Sequence, residues 1–210
     1  VYTKCIIIII KEELRMIQFT FDAKKIIQIV DFLVARNSFS LNYTKMIKLL
    51  YIADKEALAK HDIVITGDRY FSMKNGPVLS GVLDLVNGEF AVPEAQELWN
   101  NHFNTIGHEI VSKDKRPMSY DQLSDFELSL LTEIDNKYKN YDYGHMINLT
   151  HDKNKFSEVR WKEAKKMGTS LHLGIEDILK NLGRTDEEIE ELEKETNSII
   201  DEHRQLKNPC

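Results

Sequence analysis

Two consecutive helices between Asp22 and Lys60 demand a core to pack against, and the second carries a carboxylate where an apolar residue belongs. The first, DAKKIIQIVDFLVAR from Asp22 to Arg36, is apolar on most of its sides, as a helix enclosed by others must be. Asn42 then offers a side-chain cap to a helix running from Tyr43 to about Lys60. At about 100° per residue, Tyr43, Met46, Ile47, Leu50, Ala53, Ala57 and Leu58 share one face. Lys45, Lys48, Lys55 and Lys60 fall on the other, which reads as solvated. Asp54 projects within the apolar stripe, and His61 follows on the same side. An ionised carboxylate in that position needs a cation or several donors, or it protonates. His61, Arg69, Lys74 and the amides near Asn75-Gly76 are its candidate partners, and the expected role is to anchor the following loop.

The rest of the chain alternates short strands with helices. Ile63–Lys74 reads as a hairpin or irregular β segment turning at Thr66-Gly67-Asp68. Gly76-Pro77 reads as the start of a helix ending near Asn87-Gly88, since proline at the first helical position gives up an N–H that would go unpaired. Pro93 opens a short helix carrying Trp99 and Phe103, and Gly107–Val111 fits another strand. Ser124-Asp125-Phe126-Glu127 is a capping box for a helix towards Tyr138, and further helices are expected over Tyr143–Thr150 and Ser157–Met167. Ile175, Ile178, Leu179 and Leu182 make a short amphipathic helix stopped by Gly183. A second capping box, Thr185–Glu188, opens an acidic helix in which Ile189, Leu192, Ile199 and Leu206 recur at heptad-like spacing. The expected class is mainly α (α+β): a helical domain with a small β-hairpin or sheet and a C-terminal amphipathic helix.

The chain has 210 residues, 42% hydrophobic and 30% charged, with a formal charge of −6. That size suits one large domain or one domain with an appendage. The acidic balance argues against a nucleic-acid partner, which usually meets a basic face. Cys5 and Cys210 lie near opposite ends in no metal-ligand spacing, so a disulfide framework and structural zinc are not expected and a cytoplasmic setting is. Ile6–Ile10 is too short for a membrane span or a signal peptide and suits a strand; residues 1–15 are expected to form an extension outside the core.

Local motifs for chemistry are sparse. The Asn75-Gly76-Pro77 corner lacks the further glycines and lysine of a phosphate loop, which favours an architectural reading. The seven histidines form no HExxH or HxH, and no GxSxG appears. No cofactor and no metal are expected. Tyr70, Met73, Lys74 and Asn75 could present an adaptable surface to a partner, and Ile189, Leu192 and Ile199 a helical one.

Taken together, KLLYIADKEALAKHDIVITGDRYFSMKNGPVLSGVLDLV from Lys48 to Val86 resembles the signature of Panacea domains, the SocA-like antitoxin family. The similarity continues through Trp99, LSDFE at Leu123–Glu127, YGHMINLTH at Tyr143–His151, and Trp161, and so spans residues 22–165. It implies a Panacea-like domain over residues 16–183, with an acidic C-terminal helix over 184–210. It further implies an antitoxin, not an enzyme, that neutralises a cognate protein toxin by direct binding. Asp54, Tyr70, Gly76, Pro77, His151 and Trp161 are then framework. The alternatives are an adaptor that delivers the toxin to a protease, an enzyme using Asp54 with a histidine, and a DNA-binding autorepressor. A homodimer is compatible with each.

Overall fold

The computed structural model describes residues 21–207. The isoleucine run, the expected extension over residues 1–15 and both cysteines lie outside them.

Helix α1, Ala23–Arg36, starts where the Asp22 carboxylate accepts the Lys24 and Lys25 amides, and its central residues from Ile26 to Val30 are all buried. A three-residue strand, β1 (Ser40–Asn42), leads directly into α2, Tyr43–His61. The Asn42 side chain caps α2 by accepting from Thr44 N at 3.0 Å and Lys45 N at 3.2 Å. Both caps follow from local sequence, since each side chain meets amides only two or three residues ahead.

The remaining elements surround α2. They are β2 (Tyr70–Met73), β3 (Gly76–Leu79), α3 (Ser80–Asn87), α4 (Pro93–His102), β4 (Phe103–Ile106), β5 (Glu109–Ser112), α5 (Asp125–Lys137) and α6 (Tyr143–Thr150). After them come α7 (Trp161–Met167), β6 (Leu171–Leu173), α8 (Ile175–Asn181) and α9 (Asp186–Lys207). Helix α2 packs against β1, β3, α3, α5, α6 and α8. It therefore has no solvated flank through its middle, and the expectation that Lys45, Lys48 and Lys55 face water fails: they are 6%, 1% and 8% exposed. Their aliphatic stems lie in the packing while each ammonium reaches a backbone carbonyl on a neighbouring segment. Lys45 bonds Lys139 O at 3.0 Å, Lys48 bonds Pro77 O at 2.5 Å, and Lys55 bonds Lys155 O at 2.7 Å. Lys60, at the open end, is exposed as the helical wheel requires.

The β content is two antiparallel three-stranded sheets, in the orders β1-β5-β4 and β3-β2-β6. The fold is mainly α (α+β). The hairpin is β2–β3, in register Tyr70↔Leu79 to Met73↔Gly76, and it turns at Lys74-Asn75 rather than at Thr66-Gly67-Asp68. Gly76-Pro77 consequently opens a strand, and the helix begins only at Ser80. Proline is tolerated in β3 because that strand is at the edge of its sheet, where a missing N–H leaves no neighbour unserved. Phe103 likewise starts β4 instead of ending α4, and α7 begins at Trp161, not Ser157. Strands β1 and β6 escape sequence reading because three residues cannot display alternation.

The Ser124–Glu127 capping box forms as its sequence specifies, with Ser124 N on Glu127 Oε2 at 2.8 Å and Glu127 N on Ser124 Oγ at 3.3 Å. At the C-terminal side, Thr185 and Glu188 exchange the same pair of bonds. Arg184 reaches back to Asp62, the left-handed cap of α2, at 2.7 Å. Ile189 is buried against the domain and Leu192 half-buried, so the first turns of α9 dock onto their own chain; the Ile199 side chain lies outside the described ones.

Candidate functional site

Asp54 is fully enclosed. Its Oδ1 accepts Ile65 N at 2.7 Å and Thr66 N at 2.9 Å, and its Oδ2 accepts the Thr66 hydroxyl and Tyr70 OH at 2.8 Å. None of the cations foreseen for it, His61, Arg69 or Lys74, is a partner. The donors come from the loop after α2, whose backbone path no pattern in the sequence declares. Burial pushes the Asp54 carboxyl up to about 6, while these hydrogen bonds pull it back towards the ordinary range. At neutral pH the group is ionised and every donor around it is used. Burial, and then the neighbouring Asp54 charge, raise the Tyr70 phenol well above its usual value, so it remains a donor.

The loop itself divides its work among three residues. Thr66 serves Asp54. Gly67 takes a φ of 62°, a left-handed turn that costs glycine little. Asp68 then accepts Gly81 N and Val82 N at 2.9 Å each, capping α3 from outside that helix. Helix α3 has no side-chain cap of its own, so a residue twelve positions upstream of Ser80 supplies it. This role of Asp68 is not legible in the sequence, because the amides it serves lie thirteen and fourteen residues away.

A second cluster surrounds the Gly76-Pro77 corner. Lys48 Nζ donates to Pro77 O, and burial alone lowers its pKa to about 7. Gly76 has a φ of +94°, and a Cβ there would lie 2.7 Å from Thr150 Oγ1 and 3.4 Å from Lys48 Nζ. Only glycine fits, on both counts. His151 follows Thr150 and stacks on Trp161 with ring centroids 4.0 Å apart and planes 11° from parallel. Burial first, and then the charges of Lys48 and Lys165, lower the His151 pKa. The structure gathers Gly76 and Pro77 with Lys48 and Thr150, and sets the adjoining His151 against Trp161; the parts of Lys48 and Thr150 are not legible in the sequence. Asp54 and Tyr70 form the other centre.

A third tie joins α2 to the loop before α7. Glu158 Oε1 accepts Tyr51 OH at 2.8 Å and Lys55 Nζ at 2.6 Å. Tyr51 in turn sets its ring edge-on to Tyr70, 5.7 Å between centroids.

Residues 46–156 match the protein family described as antitoxin SocA-like, Panacea domain. The chain belongs to this Panacea family. Neither comparison with curated proteins nor comparison with solved structures returns a match. The matched stretch holds Lys48, Asp54, Thr66, Asp68, Tyr70, Gly76, Pro77 and His151, and it ends before Glu158, Trp161 and helices α7 to α9. Within the Panacea signature KLLYIAD…TGDRY…GPV, the polar side chains of Lys48, Tyr51, Asp54, Thr66, Asp68 and Tyr70 are each engaged inside the protein.

Tyr70 was expected on the partner surface as well as in the frame. It is 1% exposed and its hydroxyl is committed to Asp54, so it belongs to the interior. The hairpin tip that does reach the surface is Lys74 and Asn75, with Met73 half-buried beside them. Among the described residues, no His, Cys, Asp or Glu group is arranged to hold a metal ion, and no helix is long and apolar enough to cross a membrane.

Proposed function

We propose that this Panacea protein is the antitoxin of a toxin–antitoxin pair and neutralises a cognate protein toxin in the cytoplasm by direct binding. The observation that carries the reading is the family match over residues 46–156. Two further features support it. The signature's polar groups are spent on holding α2, the hairpin and α3 together, so Asp54, Tyr70, Gly76 and Pro77 act as framework. Partner contact then falls to the surface, for which the hairpin tip Met73-Lys74-Asn75 and the acidic face of α9 turned away from Ile189 and Leu192 are the elements we assign. From Asp186 to Glu195 that helix carries seven acidic residues and one lysine. An acidic face of this kind steers a basic toxin towards it and speeds association more than it deepens affinity.

The test is co-expression with the product of the adjacent reading frame. Growth arrest by that product should be relieved when this chain is present, and the two should co-purify. Persistent arrest with both proteins soluble and abundant refutes direct neutralisation. Relief that requires a cellular protease would replace it with delivery of the toxin for degradation.

A further inference from the structure

The His151–Trp161 stack leaves two ring nitrogens unspent. Trp161 Nε1 and His151 Nε2 are both buried and have no hydrogen-bond partner among the described residues. An indole N–H can only donate, and one buried without an acceptor is destabilising. Lys48 adds to the imbalance, since among the described residues its amine has one acceptor, Pro77 O.

The surroundings are electropositive in a chain that is acidic overall. Between His151 and Gly168 there are six lysines and arginines against three acidic residues. Lys162 lies over the Trp161 ring, 5.4 Å from its centroid, and Lys165 is near enough to depress His151. Neither lysine has a carboxylate partner among the described residues. Donors without acceptors and cations without counter-ions, gathered around one stack, call for a negatively charged oxygen.

We propose that the His151–Trp161 stack, with Lys162 over the indole and Lys48 and Lys165 nearby, is a binding site for an oxyanion, with a carboxylate the preferred form. A carboxylate offers acceptors to the indole N–H and to a protonated imidazole at once, and these bonds are of the charge-assisted kind. It also sheds less hydration than a phosphate dianion on leaving water. The site adds a ligand to what has been framework, and it stands whether or not the antitoxin reading does.

The experiment is an NMR titration of the intact protein, following the Trp161 indole N–H and the His151 ring proton. Sodium acetate, N-acetylaspartate amide and inorganic phosphate are added separately at constant ionic strength, with chloride as the control. Saturable movement of both signals with the carboxylates, a raised His151 pKa, and no response to chloride is the expected result. Trp161→Phe, which keeps a ring but loses the donor, should weaken acetate binding about tenfold, the loss of one charge-assisted hydrogen bond. Response to phosphate alone overturns the carboxylate preference. Drift equal to that in chloride, or two unmoved signals, overturns the site. The wild-type titration decides even if the variant fails to fold.

Discussion

Replacing Asp54 by alanine strips four buried donors of their acceptor at once: Ile65 N, Thr66 N, the Thr66 hydroxyl and Tyr70 OH. Each unsatisfied buried donor costs about 1–3 kcal/mol. Part is recovered, because the Thr66 and Tyr70 hydroxyls can turn and the loop can open to water. Relief of a buried charge offsets a further part. A net loss of about 3–5 kcal/mol is expected, which for a chain of this size lowers Tm by about 8–15 °C. Asp54→Asn separates geometry from charge. Its carbonyl can still serve the two amides, while its NH₂ faces two hydroxyls that must reverse; the loss should be about 1–2 kcal/mol. A pH arm follows from the carboxyl raised from 3.8 to about 6. The folded state holds that proton more tightly than the unfolded chain, so wild-type stability attributable to Asp54 falls as pH rises from about 4 to about 6. Both variants should lack that slope. The assays are thermal and urea melts at pH 4 and 7, with hydrogen exchange at Ile65 and Thr66. An alanine variant melting within about 2 °C of wild type, with those two amides equally protected, refutes the claim that Asp54 holds the loop.

Lys48→Met should flatten a second pH dependence. With the folded pKa near 7 against 10.5, the unfolded chain binds the extra proton between those values, so Lys48 makes stability rise with pH across that window, by on the order of 5 kcal/mol at most. Urea melts at pH 7 and 9.5 check it, and an unchanged slope in the variant contradicts it. Gly76→Ala forces a Cβ onto Thr150 Oγ1 at a φ of +94° and should cost about 2–4 kcal/mol, read as a lowered urea midpoint. Asp68→Ala uncaps α3 and should cost about 1–2 kcal/mol, with faster exchange at the Gly81 and Val82 amides; retained protection there would be the contrary result.

What the sequence discloses tracks how local each interaction is. Asn42, Ser124 and Thr185 are legible as caps because the amides they serve lie two or three residues away. Asp54 stood out for one reason, a charge inside an apolar stripe, and that sufficed to find the position. Its partners stayed hidden, because two are backbone amides on a loop with no periodicity. The three buried lysines of α2 were misplaced by the same limit: a helical wheel ranks faces by polarity, yet α5, α6, α8 and the hairpin arrive from remote sequence and close the polar side. The hairpin turn was lost to a rival signal, since Thr66-Gly67-Asp68 has turn chemistry but spends it on Asp54 and α3. Of the site, the Gly76-Pro77 corner was seen and its helical assignment was wrong, while the role of Lys48 emerges only when the corner is folded back over α2.

Helix α2 reaches outward with Lys45, Lys48 and Lys55, and each grips a carbonyl of the main chain, Lys55 adding the side chains of Glu158 and Asn181. Every residue offers the same carbonyl, proline included, as Pro77 shows. Around Lys139 and Pro77 the outer segments can therefore drift in composition while these two spokes of the wheel keep their hold. A hub fastened in that way permits the rim to be rewritten without rebuilding the axle.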